Sequence, residues 1–231
     1  MLSPEICQLL AYWCSLGGGN KAPERSALDL RHLTSILPWM FILEMSPDGS
    51  LRYRLAGSSL EEAMGHGMAG ETFGEVFANS QHAALMEELY AVALVQSSGI
   101  LRTGSFKLHS EVALDMEVLA LPFLDARAMG STILVGVIRP FETKNRAFVD
   151  KWGEFDQQLE KLFTIPSPRA VTLSNLSARV HTLLAEFEIE LRVMDLAKVI
   201  EIDGRGLHDR YKEVPSFSLE TLNPDQPSSL N

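Results

Sequence analysis

The sequence has no apolar run approaching the roughly 18 residues that a membrane-spanning helix needs. It has only two cysteines in 231 residues, and 20 Lys and Arg against 30 Asp and Glu. Each shortage excludes a class of function. The formal net charge of −10 argues against nucleic acid as a partner, because that binding rests on Lys and Arg neutralising phosphates. It also disfavours an anionic membrane surface. The first residues, MLSPEICQLLAYWCSLGG, lack the basic region of a secretory signal, so a cytoplasmic location is expected. Cys7 and Cys14 lie seven positions apart in a helical pattern. Their Cα atoms would then be roughly 10.5 Å apart, too far for a disulfide, so both read as buried thiols.

Catalytic and metal motifs are also missing. The six histidines (His32, His66, His82, His109, His181 and His208) show no metal-binding spacing. There is no H-E-x-x-H, C-x-x-C or G-x-S-x-G. The acidic pairs Glu61-Glu62 and Glu87-Glu88 are adjacent on helices and do not face each other. Asp115 and Glu117 share one face of a strand, expected to point outward. No metal site, no cofactor and no catalytic constellation is evident, so the chain reads as a non-enzyme. His82, at a helix start, reads as solvated rather than as an axial haem ligand.

What is present is a 46% hydrophobic composition, enough for a real core. Ser3, Pro4 and the stripe Ile6, Leu9, Leu10, Trp13 predict a helix over 4–16. A second short helix is expected over 30–37, capped by Asp29 and stopped by Pro38. Their apolar stripes must pack on the following domain or on a second copy of the chain. Residues 39–46 and 51–57 read as a hairpin across Pro47-Asp48-Gly49-Ser50. Strict alternation would place Tyr53 with Leu55 on one face and Arg52 with Arg54 on the other. Short helical pieces follow, then a longer helix over 81–96 carrying Leu85, Leu89 and Val92. Three further strands are expected over 100–108, 112–123 and 130–138.

The stretch GHGMAG (65–70) matches the G-x-G-x-x-G pattern. A dinucleotide turn must leave a strand and open a helix, and here the match leaves a short helix. Its glycines read as turns that need positive φ. The order of elements, two strands, a run of helices, three strands, also argues against a parallel doubly wound sheet.

These residues bring the chain to a resemblance. It resembles PAS domains, and more closely the bacterial stand-alone PAS proteins with a helical lead-in. The matching stretches are LLAYWCSLGGGNKAPERSALDL, LTSILPWMFILEM, LRYRLAGSSLEEAMGHGMAGETFGEVF and, more loosely, LPFLDARAMGSTILVGVI. The specific parts are Tyr12-Trp13, the Pro23/Arg25/Asp29 run, Leu37-Pro38, Arg54-Leu55-Ala56-Gly57, and Gly65 with Gly70. The sequence departs at Ala69, where related sequences often carry threonine. The resemblance implies an α+β fold, a five-stranded antiparallel sheet cupping short helices. It further implies a sensor or interaction module of a bacterial signalling pathway, without a catalytic output domain, and often dimeric through its lead helix.

On this reading the organisation is a helical lead-in (1–37), a PAS-like domain (38–140), a helical extension (141–203) and a polar, disordered tail (204–231). A ligand would sit between the concave sheet face and the helices. The expected lining is Tyr53, Leu55, Met64, Phe73, Phe77, Leu85, Leu89, Met116, Val118, Ile133 and Val135. The same residues also describe a filled core, which is the commoner meaning of such an apolar stripe. A sensor of a small, unidentified ligand and an adaptor that binds proteins directly therefore both stay open. A homodimer or partner surface is expected on Ile6, Leu9, Leu10 and Trp13. A second is expected on the heptad-like seam Phe148, Trp152, Phe155, Leu159 and Leu162. Residues 174–201 suit a helix, although FEIELRV inside them alternates as a strand would. PRAVTLSNLSARV faintly resembles the cyclic-dinucleotide-binding PilZ motif, without its paired arginines or its glycine.

Overall fold

The computed structural model describes residues 2–17, 22–77, 79–107, 113–125, 131–140, 157–165, 178–186 and 188–193. Pro4–Ser15 form helix α1, which opens with proline at its first position, where the missing N–H costs nothing. The expected second helix is shorter and tighter. Leu30–Leu33 is a 3₁₀ turn whose cap Asp29 accepts from the Arg31 N–H, and Leu37–Trp39 is another. Pro38 sits inside that second turn rather than ending a longer helix.

Strands β1 (Met40–Met45) and β2 (Leu51–Ala56) form the predicted hairpin. Helix α2 (Ser58–Met64), a 3₁₀ turn at Phe73–Val76 with a Thr72/Glu75 capping box, and helix α3 (Ser80–Gln96) follow. Strands β3 (Gly99–Lys107), β4 (Ala113–Asp125) and β5 (Ser131–Pro140) complete the five-stranded antiparallel sheet, ordered β2-β1-β5-β4-β3. The fold is α+β, as expected. Gly65 and Gly70 adopt φ of +87° and +94°, so the glycine motif does serve turns, a conformation costly for side-chain-bearing residues.

The sheet then extends beyond its β3 edge. Residues Gln157–Ile165 form β6, antiparallel to β3, and Glu190–Val193 form β7, parallel to β6. This corrects the helical seam: Leu159 and Leu162 lie on a strand, paired with Gly104 and Arg102. Phe148, Trp152 and Phe155 lie outside the described residues, as do the tail and nearly all of the PilZ-like stretch. Between the two strands, Ala178–Glu186 form helix α4, beside α3. The helix expected over 174–201 is thus a shorter helix followed by the strand that alternation in FEIELRV allowed.

Both faces of the sheet are covered. One face carries α2, α3 and the Phe73–Val76 turn over a core that includes Leu43, Met64, Leu89, Val118 and Leu134. The other carries α1. Ile6, Leu9, Leu10 and Trp13 pack with Ile42, Leu121, Phe123, Val135 and Val137, and Trp13 Nε1 donates to the Pro122 carbonyl at 2.9 Å. The stripe offered as a dimer or partner surface is therefore buried within the chain, against its own sheet. This double cover explains the near-continuous apolar runs of β1 and β5, where one wet face would have required alternation.

The PAS-like lead-in residues hold α1 and its connection in place. Tyr12 Oη donates to the Ala27 carbonyl at 3.2 Å and accepts the Asp29 N–H at 2.7 Å. Arg25 pairs with Asp125 at 2.6 Å, beside a bond from the Leu124 N–H to the Pro23 carbonyl. Glu117 does not point outward to water. It is 3% exposed under the start of α1 and accepts the Ser3 N–H at 2.9 Å.

Burial raises the Glu117 pKa, and the Ser3 bond only partly offsets it. The folded state therefore holds this proton more tightly than the unfolded chain does. The contribution to stability is complete below the unfolded carboxylate value and is lost as pH rises through the folded one. Glu117→Gln keeps an acceptor for Ser3 and removes the titration. Its denaturation midpoint is expected to match the parent at low pH and exceed it at neutral pH. Parallel curves across that range would show that Glu117 does not titrate as described.

Candidate functional site

The concave core is built from aromatic and sulfur side chains. Tyr53 on β2 meets Phe41 at 6.2 Å and Phe73 at 6.0 Å between ring centroids. Phe73 in turn meets Phe77 at 4.8 Å and Tyr90 at 5.2 Å. Met64, Met68, Met86 and Met116 are buried in the same cluster. Thioethers are flexible and polarisable, and they reshape around irregular neighbours at low cost.

Most of the expected lining meets here. Tyr53, Met64, Phe73, Leu85, Leu89, Met116 and Val118 share this core, with half-buried Phe77 packed against it. Three residues do not join them. Leu55 is 36% exposed, because the β1–β2 register shifts: Leu43 faces Tyr53 while Ile42 faces Leu55. Arg54 is the extra residue of this bulge, and one extra residue reverses the facing of everything beyond it. Ile133 and Val135 belong to the α1 side of the sheet, and Leu134 between them faces the concave core.

The sequence reading missed Arg102. It is 2% exposed, with its guanidinium carbon 5.6 Å from the centre of the Phe77 ring, a cation–π distance. Its charge reaches two buried phenols. Burial pushes Tyr53 and Tyr90 up, and Arg102 pulls both back down. Both therefore remain neutral O–H donors at physiological pH. No local signal marked this site. Nothing in ILRTGSFKL separates a buried arginine from a wet one, because what covers this face of the strand comes from other parts of the chain. Elsewhere, burial raises Cys7 and Cys14 to about 11, keeping both as thiols, and half-buried His82 packs at the start of α3. Among the described residues, no group of three or more His, Cys, Asp or Glu is placed to hold a metal ion.

A family model described as a PAS domain matches residues 1–138. The chain belongs to the PAS domain family. PAS domains are sensory and signalling modules and are generally not catalytic. Among solved structures, the chain is similar to the PAS domain of BvgS from Bordetella pertussis. That match has 13% identity and a TM-score of 0.39, covering 50% of this chain and 88% of that one. It is also similar to a PAS-B domain of the Drosophila melanogaster Cycle protein, at 19% identity and a TM-score of 0.32, covering 44% and 99%. No curated protein matches. The PAS match ends before β6, so the last two strands of the sheet lie beyond it. No helix of the described residues is long and apolar enough to cross a membrane.

Proposed function

We propose that this PAS protein is a cytoplasmic signalling regulator without catalytic activity. It senses a small ligand in the core between sheet and helices and passes its state on through protein contacts. The observation that carries this reading is the make-up of that core: four buried methionines around an aromatic cluster with a buried guanidinium. Adaptable side chains around one polar anchor are how small-molecule sites combine fit with orientation. The close ring contacts, 4.8 Å between Phe73 and Phe77, favour a second reading, an adaptor whose core is filled by its own side chains.

Native mass spectrometry of the purified chain separates the two. The expected result is a small extra mass that denaturation releases. A native mass equal to the denatured mass, under conditions that retain weak ligands, would favour the adaptor. The same spectrum reports oligomeric state. With Ile6, Leu9, Leu10 and Trp13 packed on the chain's own sheet, a dimer would meet through other residues.

A further inference from the structure

We propose that the concave core takes an anionic ligand with an apolar body, an aliphatic or aryl carboxylate, and that Arg102 anchors its head group. The proposal rests on the ligand-sensing reading above and names the ligand's class.

The position asks for an explanation. Arg102 sits on β3 opposite Val118 of β4, in a core lined by Ile100, Met116 and Ala120. An aliphatic residue there would complete that lining without taking a charge out of water, which costs several kcal/mol per ion in order of magnitude. Arginine is among the residues least often fully buried. Its guanidinium offers five N–H donors in a planar fork, so it can serve a protein neighbour and a bidentate carboxylate together.

The surroundings match the two halves of such a ligand. At the head, the neutral hydroxyls of Tyr53 and Tyr90 lie in the field of Arg102 and can donate to an anion. Around the body stand Phe73, Phe77, Met86 and Met116, apolar and largely able to repack. Phe77 stacks on the guanidinium and is itself half-buried, so the ring over the anchor also borders solvent. A neutral apolar ligand would gain nothing from the charge, and a cation would be repelled by it.

The test uses the full chain and two matched pairs of probes, octanoate with octanamide and 3-phenylpropionate with 3-phenylpropionamide. Each is titrated by calorimetry and against the thermal midpoint. At least one acid is expected to bind saturably and raise the midpoint, with its amide at least about tenfold weaker. Arg102→Met should lose the acid, and Arg102→Lys, which keeps charge without the fork, should bind in between. If Arg102→Met fails to fold, the ¹⁵N–¹H signal of Arg102 Nε in the parent protein replaces it. That signal should move on adding acid and stay still on adding amide. Acid and amide binding alike, acid binding unchanged in Arg102→Met, a still Nε signal, or no response to either acid would each overturn the proposal. A neutral ligand released in the native mass experiment would leave ligand sensing standing and remove only the anionic class.

Discussion

Replacing Trp13 with alanine is expected to cost about 3–5 kcal/mol, the usual range for truncating a large buried aromatic. Trp13 is fully buried against the sheet. Its loss opens a cavity under α1 and leaves the Pro122 carbonyl without its indole donor. Domains of this kind are stable by only about 5–15 kcal/mol, so this single change removes a large fraction of the total. Urea denaturation measures it directly. Leu55→Ser is the control, because Leu55 is partly exposed beyond the bulge and surface changes stay within about 0.5 kcal/mol. Equal midpoints for the two variants would mean that α1 does not cover the sheet in solution.

Ending the chain after Pro140 is expected to give a weakened, self-associating protein, not a self-standing domain. The cut falls just beyond the PAS match but removes the neighbour of β3. Residues Gly99 to Phe106 would lose their pairing with β6 and present an open strand edge, a template for intermolecular pairing. Buried Ile165, Leu184 and Ile189 would go as well, each contributing about 1.5–3 kcal/mol. Size-exclusion chromatography and thermal denaturation of 1–140 beside the full chain decide the matter. A monodisperse fragment with an unchanged midpoint would show that β6 and β7 are accessories.

Much of this fold is legible in the residues, with limits set by geometry. The α1 stripe and the turn at Asp48-Gly49 are local patterns, and they appear where periodicity and turn chemistry place them. A stripe says that a face is buried without saying against what, so Ile6 to Trp13 reads equally as a dimer face. In β5 every residue from Ile133 to Ile138 is buried, so composition holds no record of which side Leu134 or Val135 faces. The bulge at Arg54 leaves alternation intact in the text of the sequence while reversing its meaning for Leu55. The spacing of Leu159 and Leu162 fits a heptad-like seam, and pairing with the β3 edge places these two on a strand instead. Arg102 shows the same limit at the candidate site, since burial by other parts of the chain leaves no local mark.

The double cover of the sheet has a mechanical consequence. Along β4, Met116, Val118 and Ala120 touch one layer while Glu117, Leu119 and Leu121 touch the other. A displacement of that strand normal to the sheet moves it away from one layer and toward the other. The strand is a shared wall between two rooms, and crowding in one is felt in the other. Ser3, latched to Glu117, holds α1 to the same strand whose other face lines the inner core.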